Sequence, residues 1–132
     1  MDFKTKHLEL PDGATVTFDV DDTLIMWNHH MGLDKIAIDC EGVVSYRTPN
    51  MHNVNLLKKF YESGHVVVVW SASGVRWAKA ICKALKIDDY VHLKMSKTSY
   101  YIDDKKDPKS WMGKHGYIDI NGKVHGHHVD SE

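Results

Sequence analysis

Arginine is scarce in this chain. Lys and Arg together number 17 in 132 residues, yet only Arg47 and Arg76 are arginines. Any planar, bidentate contact with a phosphate or carboxylate must draw on those two. Cysteine is equally scarce: Cys40 and Cys82 form no Cys-x-x-Cys pair and are too few for a disulfide framework. That excludes a stapled secreted scaffold and fits a reducing compartment. Charge of one sign is also missing. The 18 acidic residues leave a formal net charge of -1, so no global basic field addresses nucleic acid or an anionic membrane. No apolar run is long enough to cross a bilayer, and Met1-Asp2-Phe3-Lys4-Thr5-Lys6 lacks the apolar stretch of a signal peptide. A cytoplasmic location is therefore expected, with no membrane partner. Repeats and linker-like stretches are absent too. With 42% hydrophobic residues the chain reads as a single globular domain over 1–132.

What the chain does have is a knot of acid. Asp19, Asp21 and Asp22 fall inside Phe18-Asp19-Val20-Asp21-Asp22-Thr23-Leu24, directly after the β-prone run Thr15-Val16-Thr17. Carboxylates crowded at the end of a buried strand repel one another and resist desolvation. A hard cation such as Mg²⁺ relieves both costs. An EF-hand loop is excluded, because its sixth and twelfth positions hold Leu24 and His30 instead of Gly and Glu.

The remaining elements follow from periodicity and punctuation. Ile36–Ile38 and Val43–Tyr46 flank a Gly-containing turn and predict a hairpin over 35–47, placed as a flap beside the acidic strand end. Residues 25–34, with His29 and His30, read as irregular. Thr48-Pro49 predicts a helix start, with Val54, Leu57 and Tyr61 on its apolar face and Gly64 as its stop. Val66–Trp70 is a continuous apolar run, as in parallel strands covered on both faces, and it ends at Ser71. Ser73 is expected to cap a second helix through Trp77, Ile81 and Leu85. Tyr90–Leu93 and Ser99–Ile102 read as a third and a fourth strand, the latter ending in Asp103-Asp104. Asp107-Pro108 opens a third helix to about His115, and Asn121-Gly122 marks a last hairpin. Residues 126–132, rich in histidine, read as a loose tail. Strands alternating with helices define an α/β fold. Its expected form is a three-layer, Rossmann-like, mainly parallel sheet with helices on both faces. Ligands of such sheets bind outside the carboxyl ends of the strands, where Asp19, Asp21, Ser71, Asp103 and Asp104 all fall.

The ordered set resembles the haloacid dehalogenase-like superfamily of phosphoryl-transfer enzymes. Its Asp-x-Asp-x-Thr motif is matched by Asp19, Asp21 and Thr23, its strand-end Ser by Ser71, and its acidic pair by Asp103-Asp104. Its lysine is matched by Lys97, with Lys94 as the alternative. The resemblance implies a Mg²⁺-dependent phosphatase that cleaves a phosphate monoester through an aspartyl phosphate on Asp19. Asp21 would act as acid and base, Ser71 would bind a phosphoryl oxygen, and the lysine would counter charge. Asp19, Asp21, Asp103 and Asp104 would serve the metal. Thr23 and Ala72, inside the first two motifs, are expected to contact substrate, and so are Arg47 and Arg76. The second acid, Asp21, favours oxygen leaving groups over halide. With only a hairpin for a cap, the site suits a nucleotide or a nucleic-acid end, or a sugar phosphate; Trp27 or Trp77 could stack on a base. The alternatives are a non-hydrolytic binder of Mg²⁺ and a phosphorylated partner, and a phosphotransferase. Nothing in the sequence bears on oligomeric state.

Overall fold

The computed structural model describes residues 10–27, 34–104 and 106, and the backbone of 116–118 and 124–126. The expected third helix from Asp107, the Asn121-Gly122 turn, His29, His30 and the tail 127–132 lie outside the described residues.

The chain forms an α/β fold. Strands β1 (Thr15–Asp19), β5 (Val66–Ser71) and β6 (Leu93–Ser96) make a parallel sheet in the order β1-β5-β6. Two helices flank it, α1 (Met51–Glu62) and α2 (Val75–Ala84). A separate antiparallel sheet, in the order β2-β4-β3, holds β2 (Ile25–Met26), β3 (Ile36–Cys40) and β4 (Val43–Pro49). A last pair, β7 (Gly116–Ile118) and β8 (Val124–Gly126), is antiparallel. Among the described residues no helix is long and apolar enough to cross a membrane.

The Val66–Val69 run is central because β5 is the middle strand. Its alternation sorts the side chains by face. Val67 and Val69 are fully buried in one apolar cluster with Phe18, Val54, Leu57, Phe60, Ala78 and Ile81. Both described helices thus contribute to the face that carries Val67 and Val69. Full burial of one such side chain is worth about 1.5–3 kcal/mol. Helices on the opposite face, part of the expected three layers, would have to come from beyond the described residues.

The hairpin is docked, not loose. β3 lies along α2, and Ile38 is fully buried in the main cluster. Its turn is Glu41-Gly42, with φ of +55° and +89°, the left-handed pair of a type I′ turn. Asp39 Oδ1 accepts the Gly42 N–H at 2.8 Å and closes it.

Four boundaries differ from expectation, each for a physical reason. Helix α1 starts at Met51 with Asn50 as cap, not at Thr48-Pro49. Those two residues remain in β4 because β2 pairs with them, Ile25 with Pro49 and Met26 with Thr48. Its end matches expectation: Gly64, at φ +92°, donates to the Tyr61 carbonyl while His65 donates to that of Phe60. Helix α2 is capped at Gly74 and not by Ser73; the Val75 N–H instead donates to Ser96 Oγ at 2.9 Å. The third strand begins at Leu93, because Asp88–Tyr90 first make a 3₁₀ turn. The fourth is not formed. Ser99–Ile102 pairs with no strand among the described residues, and Tyr100 and Ile102 are 82% and 87% exposed. Residues 25–34 are also less irregular than expected, since Ile25–Met26 is β2.

Candidate active site

The register of the parallel sheet assembles the site. Asp19 pairs with Trp70, and Ser71 with Ser96, so Asp19, Ser71 and Lys97 end three adjacent strands at one edge. Neighbouring strands lie about 4.8 Å apart. Lys97 is anchored there by its N–H, which donates to the Ser71 carbonyl at 2.8 Å. From that position its Nζ reaches to 4.0 Å from Asp19 Oδ1. Lys94 is occupied elsewhere, 2.8 Å from Asp88 Oδ1. Of the two candidate lysines, the structure brings Lys97 to the acid cluster.

The acidic loop is fixed by its backbone. The Val20 carbonyl accepts from the N–H groups of Thr23, Leu24 and Ile25 at 3.2, 2.9 and 3.2 Å. The reversal requires Asp22 at φ +62°, a conformation that Asp tolerates better than most residues. The Asp22 carboxylate accepts the Trp27 N–H at 3.1 Å. Asp22 thus shapes the loop, a role that its place as the variable residue of the motif did not signal. Asn53, fully buried on α1, donates to the Thr23 carbonyl at 2.7 Å and ties the loop to the helix.

Burial holds the Asp19 carboxyl above the usual carboxylate range, and the charges of Asp21 and Asp22 add to that rise. The Lys97 ammonium and the Val20 N–H act in the opposite sense. The ionised form of Asp19 is therefore disfavoured chiefly by loss of water, and only secondarily by its acidic neighbours.

Asp21 has the most crowded environment. Both the Trp27 and Trp77 indole N–H groups donate to its Oδ1, at 2.9 and 3.0 Å. The Ser73 hydroxyl lies 3.4 Å from its Oδ2. The Arg47 guanidinium sits over the Trp27 ring, 4.0 Å from its centroid, and 5.9 Å from that of Trp77. Arg47 Nη1 also donates to the Tyr46 carbonyl at 2.9 Å, while its buried Nε makes no hydrogen bond. One face of Trp27 is thereby covered by Arg47 and closed to a stacked base.

The other expected residues fall as follows. Ser71 is fully buried; its hydroxyl oxygen accepts the Ser73 N–H at 3.0 Å and keeps its hydrogen to donate. Ala72 is exposed beside it. Arg76 is highly exposed and pairs with Glu41 Oε2 at 3.2 Å, across to the hairpin tip. Asp103 and Asp104 are exposed and stand in no strand. Among the described residues no three His, Cys, Asp or Glu side chains are grouped to hold a metal ion. The donor chemistry still suits Mg²⁺, which takes one or two carboxylates and completes its shell with water and phosphate oxygens. The Asp19 carboxylate, partly desolvated at the strand end, is a donor of that kind. Cys82 offers no nucleophile: burial pushes its thiol up to about 12.

Comparisons with protein-family models, with curated proteins and with solved structures gave no match.

Proposed function

We propose that the chain is a Mg²⁺-dependent phosphohydrolase of the haloacid dehalogenase-like type, acting on phosphate monoesters from Asp19. The observation that carries this reading is the convergence of Asp19, Ser71 and Lys97 on one sheet edge, with Lys97 Nζ 4.0 Å from Asp19. Nucleophile, hydroxyl donor and cation then surround the position a phosphoryl group must take.

In the first step an Asp19 oxygen attacks phosphorus and the bond to the leaving oxygen breaks. Asp21 delivers its proton to that oxygen, so an alcohol departs and an aspartyl phosphate remains. In the second step water attacks phosphorus, Asp21 takes the water's proton, and the Asp19–phosphorus bond breaks to release inorganic phosphate. Ser71 donates to a phosphoryl oxygen and Lys97 offsets charge that grows in the transition state. Mg²⁺ would be held by Asp19, the Asp21 carbonyl and Asp103, with Asp104 in support; when bound, it neutralises the phosphoryl charge. Arg47 is the cation available to a second anionic group on the substrate, since Arg76 is turned to Glu41. Thr23 and Ala72 line the same loops. This favours a nucleotide or a nucleic-acid end phosphate over an uncharged alcohol's monoester.

The finer fold belongs to the same proposal. Among the described residues β1 has a strand neighbour on one side only. Tyr100–Ile102 added to its open edge would set Asp103 beside Asp19 and extend the sheet towards the Rossmann-like form. The two free cysteines accord with a cytoplasmic setting.

The test is hydrolysis of p-nitrophenyl phosphate, then of a panel of nucleotides, oligonucleotide ends and sugar phosphates, with and without Mg²⁺. Turnover that needs Mg²⁺ and disappears in Asp19→Asn is expected. Phosphate binding without turnover on any ester would favour a non-hydrolytic binder, and phosphate passed to an alcohol instead of water would make it a phosphotransferase.

A further inference from the structure

We infer that Trp27 and Trp77 are positioning residues for Asp21, which leave its Oδ2 as the oxygen that exchanges the proton with the substrate. The inference rests on the phosphohydrolase reading and adds to it the machinery that aims the acid.

The geometry is unusual in its redundancy. Two indole donors from different elements, one following β2 and one in α2, end on the same oxygen, Oδ1, at 2.9 and 3.0 Å. An indole N–H can only donate. Neither ring can relay a proton, and together they occupy Oδ1. Oδ2 is left with the Ser73 hydroxyl at 3.4 Å, a group able to donate to an ionised carboxylate and to accept from a protonated one. Arg47 completes the assembly from a third element. Its guanidinium lies against Trp27 and is held by the Tyr46 carbonyl, so the ring that fixes Asp21 is itself fixed.

Burial explains one of the two bonds and not the other. A buried indole must find an acceptor inside the protein, and Trp77 is half-buried against the core. Trp27, however, is 48% exposed, and water could serve its N–H. A carboxylate that must meet a leaving oxygen within hydrogen-bond reach gives that second bond a purpose.

The inference predicts a split by leaving group. A p-nitrophenolate departs without protonation, whereas an alkoxide requires it. Trp27→Phe and Trp77→Phe retain an aromatic ring, smaller than indole, and remove the N–H donor. Each is assayed in Mg²⁺ for kcat/KM, which reports the phosphorylation step, on p-nitrophenyl phosphate and on a nucleoside 5′-monophosphate, whose leaving group is an alkoxide. Tenfold or greater loss on the alkyl ester is expected for each variant, against threefold or less on the aryl ester. Asp21→Asn should show the same split, more deeply. Equal losses on both esters, or none on either, would overturn the inference while the phosphohydrolase reading stands. If the wild-type protein hydrolyses neither these two esters nor any member of the wider panel, both fall. Because Trp27 is half-exposed, Trp27→Phe keeps the test open should Trp77→Phe fail to fold, and thermal melting by circular dichroism identifies such a failure.

Discussion

On the phosphohydrolase proposal, replacing Lys97 by Met separates what the Lys97–Asp19 contact would do for catalysis from what it does for stability. At the 4.0 Å between Nζ and Asp19 Oδ1, two unit charges attract by about 1 kcal/mol in water and about 4 kcal/mol at an effective dielectric of 20. The side chains are 47% and 37% exposed, which places the folded-state benefit at the watery end. The variant should therefore lose no more than about 1 kcal/mol of stability. Catalysis presents a different demand. When phosphate carries the charge into the site and excludes water, the missing cation is felt at low dielectric. Loss of one such electrostatic group costs about 2.7–4 kcal/mol of transition-state stabilisation, or about 10²–10³ in kcat. Lys94→Met is the matched control, because Lys94 is committed to Asp88. The assay is steady-state hydrolysis of p-nitrophenyl phosphate, with urea melts run on the same preparations. A Lys97→Met enzyme within threefold of wild type, or equal losses in the two variants, would refute the assignment. Lys97 also lowers the affinity of Asp19 for a proton, so its removal should move the acid limb of kcat/KM to higher pH.

Three further outcomes follow from described features. Asp19 is held above its ordinary value by burial, so in metal-free protein its ionisation costs stability. The contribution is whole below about pH 3.9 and lost as pH rises through the folded-state value; Asp19→Asn should match wild type in Tm at low pH and exceed it near neutrality, and a constant difference would contradict the sign. Ile38→Ala empties a fully buried position that fastens the hairpin to α2 and should cost about 2–5 kcal/mol in a chemical melt, where an unchanged midpoint would mean a free flap. Backbone amides of 99–102 should gain protection from hydrogen exchange when Mg²⁺ and orthovanadate are added together, if that segment joins the edge of β1; unaltered exchange would count against it.

The parts of the fold that could be read from sequence were those fixed by local chemistry. The apolar Val66–Val69 run declared a central strand because β5 lies between β1 and β6 with Val67, Val68 and Val69 buried. Gly64 declared a helix end because only a left-handed residue closes that turn. The helix start could not be read in the same way. Thr48-Pro49 has good capping chemistry, and Asn50 won because β2, some 24 residues earlier, holds Thr48 and Pro49 in a strand. Ser73 was displaced from its expected cap by a partner 52 residues away in sequence, Asp21. The ends of β1 and β5, at Asp19 and Ser71, were legible for the same local reasons. Two features were not. The choice of Lys97 over Lys94 depends on the pairing of β6 with β5, which ends at Ser96 and puts the Lys97 N–H on the Ser71 carbonyl. The double indole bond joins Asp21 to residues 6 and 56 positions away, and no spacing rule links them. From sequence, Trp77 reads first as a core residue of its helix, and stacking on a base is the role open to Trp27 or Trp77. The signal that could have pointed elsewhere was their polar edge, an indole N–H that needs an acceptor in a region dense in carboxylates.

The base of the hairpin has a consequence for how such a site could change its clientele. Asn50 N donates to the Leu24 carbonyl at 2.8 Å, and Ile25 pairs with Pro49 directly above. Residues 25–49 thus leave and rejoin the chain at points one hydrogen bond apart, like an appliance on a single socket. Closure of a longer loop there costs only about 0.6 kcal/mol for each doubling of length. The Glu41-Gly42 tip could then be lengthened while Trp27, with Arg47 over its ring, stays on Asp21, and Val20, Asn53 and the sheet keep Asp19 in place. New selectivity would arise at the tip, with the chemistry untouched.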